Sequence, residues 1–471
     1  MFEERRQHPV TVLVYFAKQI KHMAIPFLVF LISVAADGGS LPPWYAIVSV
    51  LGAMVLLNVL IACWRWFFFR YAFKDGALHI KKGAVLRKQR HIKNERVQTV
   101  NAKAGILLRL LELLSLSIET AGGTEEPEVT IHALTHEEAE GLEEALRGET
   151  RAVKDEEDKM ENKGKTIDFP RLLIAALTSG GVGAFLLLIF AVFAQVVFFI
   201  PDHIMEDVSA TVIGAGVLAF VGLGVMLLLT SWGLSVVRYI FRYAFFRVKR
   251  ANGEIRIEHG LLVKRRFNVK THRIQALSVV EGMLRQPFGF ATIELEVAGG
   301  GKYEDSFKVV LYPLLAKNDI QTFLEDTLSE YAATFDLRPL PRRAFRRYMI
   351  RLHLLYLPFL PLFVFFPLTM LAFLLVPFTT LLAYLRYRDA GVAVEGSLLV
   401  SRFRYLAKTT ALMHKDRVQT IRLQRNILQR LRKLSTLQST VLSAPSKTTF
   451  QVKDIAEETG DSVYEWYSRH A

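Results

Sequence analysis

Arg96-Val97-Gln98-Thr99-Val100, Arg273-Ile274-Gln275-Ala276-Leu277 and Arg417-Val418-Gln419-Thr420-Ile421 are three versions of one pattern, arginine, aliphatic, glutamine, small, aliphatic. Each follows a similar stretch. In the first copy Ala77-Leu78-His79-Ile80 alternates, Gly83 turns the chain and Ala84 to Ile92 alternates again. The second runs Glu254-Ile255-Arg256-Ile257, Gly260 and Leu261 to Val269; the third runs Val392-Ala393-Val394, Ser397 and Leu398 to Leu406. A period of two puts successive side chains on opposite faces, so each stretch reads as a two-stranded meander and the Arg-aliphatic-Gln stretch as the next strand. Three features recurring in one order mark an internal repeat.

Downstream, Leu116 to Thr120, Ala291 to Val297 and Leu437 to Leu442 read as further strands, followed by Val129 to Ala133, Phe307 to Tyr312 and Thr448 to Val452. Each copy closes with a helix, at His136 to Arg147, Lys317 to Tyr331 and Glu457 to Ser468. In the second of these, Ile320, Phe323, Leu324 and Leu328 fall at three- and four-residue spacing. Each copy is therefore expected to be a small antiparallel barrel or folded sheet capped by one helix.

Upstream of each copy lies an apolar segment that ends on a basic-aromatic pair, Arg70-Tyr71, Arg242-Tyr243 or Arg386-Tyr387. Trp44 to Phe69, Leu172 to Ile200 and Val208 to Val237 are each long enough to cross a hydrocarbon core of about 30 Å. Met23 to Ala36 is shorter, and Lys18, Lys21 and His22 can reach the headgroups from its start. Leu352 to Leu385 is too long for one crossing and predicts a hairpin turning near Pro361 to Pro367, with Arg342, Arg343, Arg346, Arg347 and Arg351 before it and Arg386 and Arg388 after it. The short connections at 35–44 and 201–207 contain no Lys or Arg, so they face outward and the basic flanks face inward.

The fold class expected is an α+β membrane protein with six transmembrane helices in three hairpins, each followed by a barrel. Its parts are hairpin 1 (9–69), module 1 (70–147), a charged linker (148–170), hairpin 2 (171–242), module 2 (243–335), a basic linker with hairpin 3 (336–386) and module 3 (387–471). Over 471 residues the chain is 51% hydrophobic with a net charge of +14, which suits a membrane protein with basic inner flanks. The single cysteine, Cys63, lies in an apolar run and reads as a small packing side chain. The polar N-terminus has no small-residue cleavage site after a short apolar core, so the first apolar segment reads as an anchor.

The recurring Arg96 with Gln98, Arg273 with Gln275 and Arg417 with Gln419 are candidate ligand or partner contacts, since arginine can fork a phosphate or carboxylate while glutamine adds a directional hydrogen bond. The plainer reading is that each pair links strands at a barrel edge. Lys81, Lys82, Arg87, Lys88, Lys264, Arg265, Arg266, Arg402 and Arg404 are candidate contacts to anionic headgroups, although topology alone demands some of this charge. Charge that tracks hairpin ends argues against nucleic acid.

Catalytic signatures fail on their spacing. Gly164-Lys165-Thr166 has Lys159 where a phosphate loop needs glycine, Gly214 and Gly216 lie inside an apolar span, and His136-Glu137-Glu138 has Glu140 where a zinc helix needs histidine. No metal or cofactor is expected. A lipid enzyme would need His79, His91, His132 and Glu95 around one cavity.

The hairpin, the strand-Gly-strand stretch, Arg-[Val/Ile]-Gln and the closing helix together resemble the bacterial pleckstrin-homology-like domain of the second group, and three copies resemble the YdbT-type membrane proteins. The third copy departs in having Gly396-Ser397 at its turn and Arg430-Leu431-Arg432-Lys433 where the second has Gln286-Pro287-Phe288-Gly289. The resemblance implies a strongly bent seven-stranded barrel plugged by a helix, and a non-enzymatic scaffold in a bacterial cytoplasmic membrane with both termini cytosolic. It also implies membrane lipids and a smaller paralogue as partners, and a role in envelope homeostasis or tolerance of membrane-active peptides. The alternative is a component of a transport or export system whose helices form a pathway.

Overall fold

The structure is a computed structural model that describes residues 2–19, 44–83, 86–120, 129–147, 164–180, 187, 216–251, 253–298, 309–359, 375–443 and 447–468. The chain divides into two compact units, Met1–Lys163 with Leu262–Asn268, and Gly164–Leu261 with Val269–Ala471.

In the first unit β1 (Phe2–Arg6) pairs with β2 (Arg70–Lys74), placing Arg6 opposite Arg70, and β3 (Ala77–Lys82) and β4 (Lys88–Lys93) complete a four-stranded sheet in that order. Asp75 and Gly76, at φ 53° and 68°, form the tight turn between β2 and β3, where positive φ matches the twist of the strands. Between β1 and β2 the described chain is helical at 11–19 and in α1 (Trp44–Phe67). A second group follows, with β5 (Val97–Ala104), α2 (Ile106–Leu110), β6 (Leu113–Thr120), β7 (Val129–Thr135) and α3 (His136–Arg147). Tyr71, Leu78, Ile80 and Ile92 from the first sheet meet Leu116, Ile118 and Ile131 from the second group and Leu142 and Leu146 from α3 in one buried core. On its other edge β5 pairs with copy two, Ala104, Lys103 and Ala102 lying opposite Lys264, Arg265 and Arg266. Buried Asn268 fastens this junction, its Nδ2 donating to the Val100 carbonyl at 3.3 Å and to Glu143 at 3.1 Å.

The second unit begins with β8 (Lys165–Thr166), α4 (Phe169–Leu177), α5 (Gly216–Tyr243), β9 (Arg247–Ala251) and β10 (Glu254–His259). Thr166 lies opposite Arg247. β11 (Lys264–Lys270) leads to β12 (Ile274–Glu281), β13 (Phe290–Val297), β14 (Val309–Ala316) and α6 (Ile320–Thr327). Copy three repeats the order with β15 (Arg338–Pro339), α7 (Arg342–His353), α8 (Val376–Asp389), β16 (Gly391–Glu395), β17 (Leu398–Arg404) and β18 (Lys408–His414). It ends with β19 (Val418–Gln424), α9 (Ile427–Arg430), β20 (Leu434–Leu442), β21 (Lys447–Ala456) and α10 (Glu457–Ser468). One seven-stranded sheet runs β14-β13-β12-β18-β17-β16-β15, so three strands of copy two continue into four strands of copy three. The last three strands form their own sheet, β19-β20-β21, packed on copy three's first strands through Leu399, Met413, Ile421, Leu437 and Val452.

Charge fastens this second junction. Glu281 at the end of β12 meets Lys408 of β18 at 2.8 Å and Lys317 at 2.5 Å. Burial pushes the Glu281 carboxyl up, but the two lysines outweigh it and hold it below its usual value of 4.5. Its stabilising effect is therefore present above that value and is lost as pH falls through the lowered one. Glu281→Gln should lower stability at pH 7 by about 1–3 kcal/mol and shrink the loss between pH 7 and pH 4, which chemical denaturation of the full chain at both pH values would measure; the same loss in wild type and variant counts against it.

Several expectations change here. The copies are not closed barrels. Alternation fixes which face of a strand is buried but not which edge is paired, and the free edges of β5 and β12 are taken by the next copy's meander. Each apolar segment expected as a hairpin is inserted between the first and second strands of its own module rather than preceding it, because β1, β8 and β15 pair with β2, β9 and β16. The segments expected as linkers accordingly contain β8, β15 and α7. Two described helices, Val48–Phe67 and Gly222–Tyr243, have the length and apolarity to cross a membrane. The span at Met23 to Ala36, the turn near Pro361 to Pro367, the connections 35–43 and 201–207, and most of Leu172 to Ile200 lie outside the described residues.

Candidate functional site

Arg96, Arg273 and Arg417 each end a short 3-10 turn between the meander and the next strand. Arg96 is exposed, while Arg273 and Arg417 are half-buried. Gln275 is buried and its Nε2 donates to the Arg273 carbonyl at 3.2 Å, whereas Gln419 is exposed; of Gln98 only the backbone is described. The glutamines thus differ in environment from copy to copy.

A different recurrence ties each hairpin to its module. Twelve places after the recurring arginine stand Leu108, Arg285 and Gln429, all buried, and nineteen places after it stand Ser115, Thr292 and Thr436. In copy one, His132 Nδ1 bonds Ser115 Oγ at 3.0 Å and its Nε2 faces Lys18 Nζ at 3.2 Å, while Thr11 donates to the His132 carbonyl at 3.3 Å. Burial, then Lys18 and Lys103, push the His132 pKa from 6.5 down to about 3. In copy two, Arg285 reaches Thr292, donates to the Pro313 carbonyl at 3.0 Å, and crosses to α4 and α5 through the Ala175 carbonyl at 2.8 Å and Tyr239 at 3.3 Å. In copy three, Gln429 Nε2 donates to Thr436 and Asp454, both at 2.8 Å. Asp454 also accepts from Arg347 at 2.9 Å and Arg351 at 2.7 Å on α7. In every copy the helix that enters the hairpin is held to the module by this polar knot.

In the third copy the described residues line an open cleft beside the knot, with a volume of about 450 Å³ and walls that include Arg351, Arg425, Asn426, Gln429, Gln451 and Lys453. The side chains of Asn426 and Gln429 cap α9 reciprocally, which fixes that wall. Arg425 pairs with Glu457 at 2.8 Å and with Asp461, but its Nε is buried without an acceptor among the described residues. Lys453 makes no ion pair among the described residues; burial and then Arg351 push its pKa down, partly offset by Asp454. A cation destabilised in this way gains most from an entering anion. A smaller recess of about 60 Å³ shares Arg351, Gln451 and Lys453 and reaches Arg386, so the cleft opens between the two ends of hairpin 3.

Of the other basic candidates, Lys82, Arg87 and Lys88 are exposed around the β3 to β4 turn, and Lys81 is bridged to Glu4 at 3.2 Å. Lys264, Arg265 and Arg266 have their backbones paired with β5. Arg402 is half-buried, donating to Thr410 at 2.9 Å, and burial pushes its pKa down. Arg404 is a correction: its side chain is 1% exposed and bonds Asp389 and Gln286, both at 2.6 Å, so it joins copies two and three instead of facing lipid. His79 and His91 are in edge-to-face contact, while His132 sits in its own buried network. Sequence reasoning missed the knot because Leu, Arg and Gln share no chemistry, though their constant spacing from the arginine was available.

Comparison with known proteins agrees with the threefold repeat. A family model described as the bacterial PH domain matches residues 26–150, 177–332 and 354–471. The chain belongs to the bacterial PH domain family. Each matched segment includes part of the apolar stretch that precedes the meander. The chain is also 30% identical to the UPF0699 transmembrane protein YdbT of Bacillus subtilis (strain 168), over 99% of each chain. It is thus a membrane protein with three bacterial PH modules of the YdbT type.

Proposed function

We infer that the chain is a non-enzymatic, multi-pass scaffold of the bacterial cytoplasmic membrane that holds its bacterial PH modules at the inner leaflet, with N- and C-termini cytosolic. Pairing of the strands on either side of each hairpin supports this topology. Arg6 and Arg70 are neighbours, as are Thr166 and Arg247 and then Pro339 and Gly391. Chain that leaves and re-enters one side must cross an even number of times, so each module has all its strands on the same face.

The observation that carries the functional reading is the cationic cleft between the ends of hairpin 3, within reach of headgroups. Its Lys453 would bind the phosphate of an anionic lipid, with Arg351 and the cleft amides completing the contact. Tethering supplies the local concentration, so weak affinity suffices. Partners are proposed to be membrane lipids and a smaller paralogue carrying a bacterial PH module, with no nucleic acid, in envelope homeostasis or tolerance of membrane-active peptides.

The test uses the full chain in phosphatidylcholine nanodiscs with a trace of fluorescent phosphatidylglycerol. Near the surface one charge is worth about 1 kcal/mol, so Lys453→Ala should lower enrichment of the labelled lipid about five-fold, and Lys453→Glu further. Equal enrichment in all three proteins sinks the headgroup assignment.

A further inference from the structure

The two junctions between copies share one register. Numbered from the recurring arginine, Lys264, Arg265 and Arg266 of β11 occupy the same places as Lys408, Thr409 and Thr410 of β18. They lie opposite Ala104, Lys103 and Ala102 at the first junction, and opposite Glu281, Val280 and Val279 at the second. The repeat therefore has a fixed way of adding a meander to a module's second sheet. One meander strand and one such edge stay open among the described residues. β4 ends the four-stranded sheet and β19 ends the last three-stranded sheet.

The shared register shows what an incoming strand would meet at β19. A second copy of this chain, offering β4, would place Arg87 opposite Arg425, Lys88 opposite Gln424 and Arg90 opposite Arg422. Arginine would face arginine twice, which destabilises a sheet edge, most at Arg422 because Arg425 already pairs with Glu457 and Asp461. The first junction tolerates one such pair, Arg265 opposite Lys103, but there the covalent chain supplies the local concentration. The second junction places a carboxylate, Glu281, against Lys408. On β19, Arg422 is exposed and Arg425 is half-buried.

We propose that the β19 edge is a strand-addition site for the meander of a bacterial PH module on a different chain, one bearing acidic residues opposite Arg422 and Arg425, and that the basic β4 keeps copies of this chain from adding to one another. The proposal deepens the scaffold reading by naming the chemistry of a protein partner; the edge shares Gln424 and Arg425 with the wall of the headgroup cleft, so its test reads crosslinking between chains and not lipid enrichment. Main-chain hydrogen bonds would supply affinity and the opposed charges the selection.

The chain itself can be made into the probe. In full-length protein with Cys63→Ala, which removes the only cysteine, Lys88→Cys and Gln424→Cys would face each other across the new junction. With Arg87→Glu and Arg90→Glu added, oxidation in detergent should give intermolecular disulfides at least ten-fold faster than with the native arginines. Arg422→Glu with Arg87 and Arg90 native should also speed crosslinking, and Arg90→Glu combined with Arg422→Glu should slow it relative to either change alone. Crosslinking rates indifferent to these charges, or a disulfide confined to single chains, would overturn the proposal. Neither result bears on lipid enrichment at Lys453, so this failure and that of the headgroup reading are distinguishable. Thermal unfolding of each variant verifies that the modules are intact, and an unfolded variant is replaced by Arg87→Gln, Arg90→Gln, for which crosslinking is expected between the two extremes and no change from the native rate would overturn the proposal.

Discussion

Asp454→Ala should destabilise the third module by about 3 kcal/mol, at the lower end of the cost of stripping one partner from a buried ion pair. Asp454 is 0% exposed and accepts from Arg347, Arg351 and Gln429 at 2.7 to 2.9 Å. Its loss leaves two guanidinium groups and an amide without their acceptor. The arginine side chains keep 18% and 38% of their exposure, so water can recover part of the loss, which is why the lower end applies. The backbone adds a smaller effect, because Asp454 sits at φ 58°, where Asp and Asn are tolerated and alanine is strained. Asp454→Asn keeps the conformation and two of the contacts, so it should fall between wild type and alanine. Denaturant unfolding of the full chain, with limited proteolysis at α7 as a local readout, measures both. A double-mutant cycle with Arg347→Ala should give a coupling of about 1 kcal/mol or more. An alanine variant as stable as wild type would show that α7 is held by other contacts.

The same residue shows where reading the sequence stops. Asp454 follows the expected strand Thr448 to Val452 and looks like an ordinary polar position near its end; only the fold brings α7, more than a hundred residues earlier, over it. The threefold module was legible because meander, Arg-aliphatic-Gln and closing helix depend on local periodicity. The helices His136–Arg147 and Glu457–Ser468 stand where their spacing places them, while the middle one is broken into α6 between two 3-10 turns. The opening strands were not legible. Lys165–Thr166 and Arg338–Pro339 are two residues long, too short for any period, and a whole hairpin separates each from its pairing partner.

Charge was legible in total and illegible in place. Arg404 and Arg402 stand two apart in β17 and looked like one surface pair; Arg404 is instead committed to Asp389 and Gln286, joining copy two to copy three. Lys453 gave no sequence signal, since its position next to an open cleft depends on α9 and on Arg351 from α7. The basic excess thus serves three physical tasks: holding copies together, lining a cleft, and keeping an edge strand from pairing with its own kind.

Acidification should loosen the first module before the third. His132 is 5% exposed, and the two contacts of its ring suit a neutral imidazole whose Nδ1–H donates to Ser115 and whose Nε2 accepts from Lys18. A proton on Nε2 would face the Lys18 ammonium in a buried site. The unfolded chain takes up that proton below pH 6.5, whereas the folded chain resists it until about pH 3. Across that window the unfolded state binds more protons, so stability is complete above pH 6.5 and falls as pH falls. At about 1.4 kcal/mol per pH unit, roughly 2 kcal/mol is lost by pH 5 and at most about 5 kcal/mol by pH 3. The Glu281 junction is lost only below 4.5; His272, whose pKa burial and then Arg273 also lower from 6.5, shares the interval from pH 6.5 to 5, so the first module's own amides and the His132 variant separate the two histidines. The protection factors of β6 and β7 amides in the full chain, hydrogen-exchange rates taken relative to the intrinsic rate at each pH, should fall over that interval while those of β20 and β21 hold. His132→Gln should remove the slope at a cost of about 1–3 kcal/mol at pH 7. An unchanged slope in that variant would place the acid sensitivity elsewhere. Because Lys18 lies on the helical stretch that enters the first hairpin, the protonation that weakens the module also releases its hold on that hairpin.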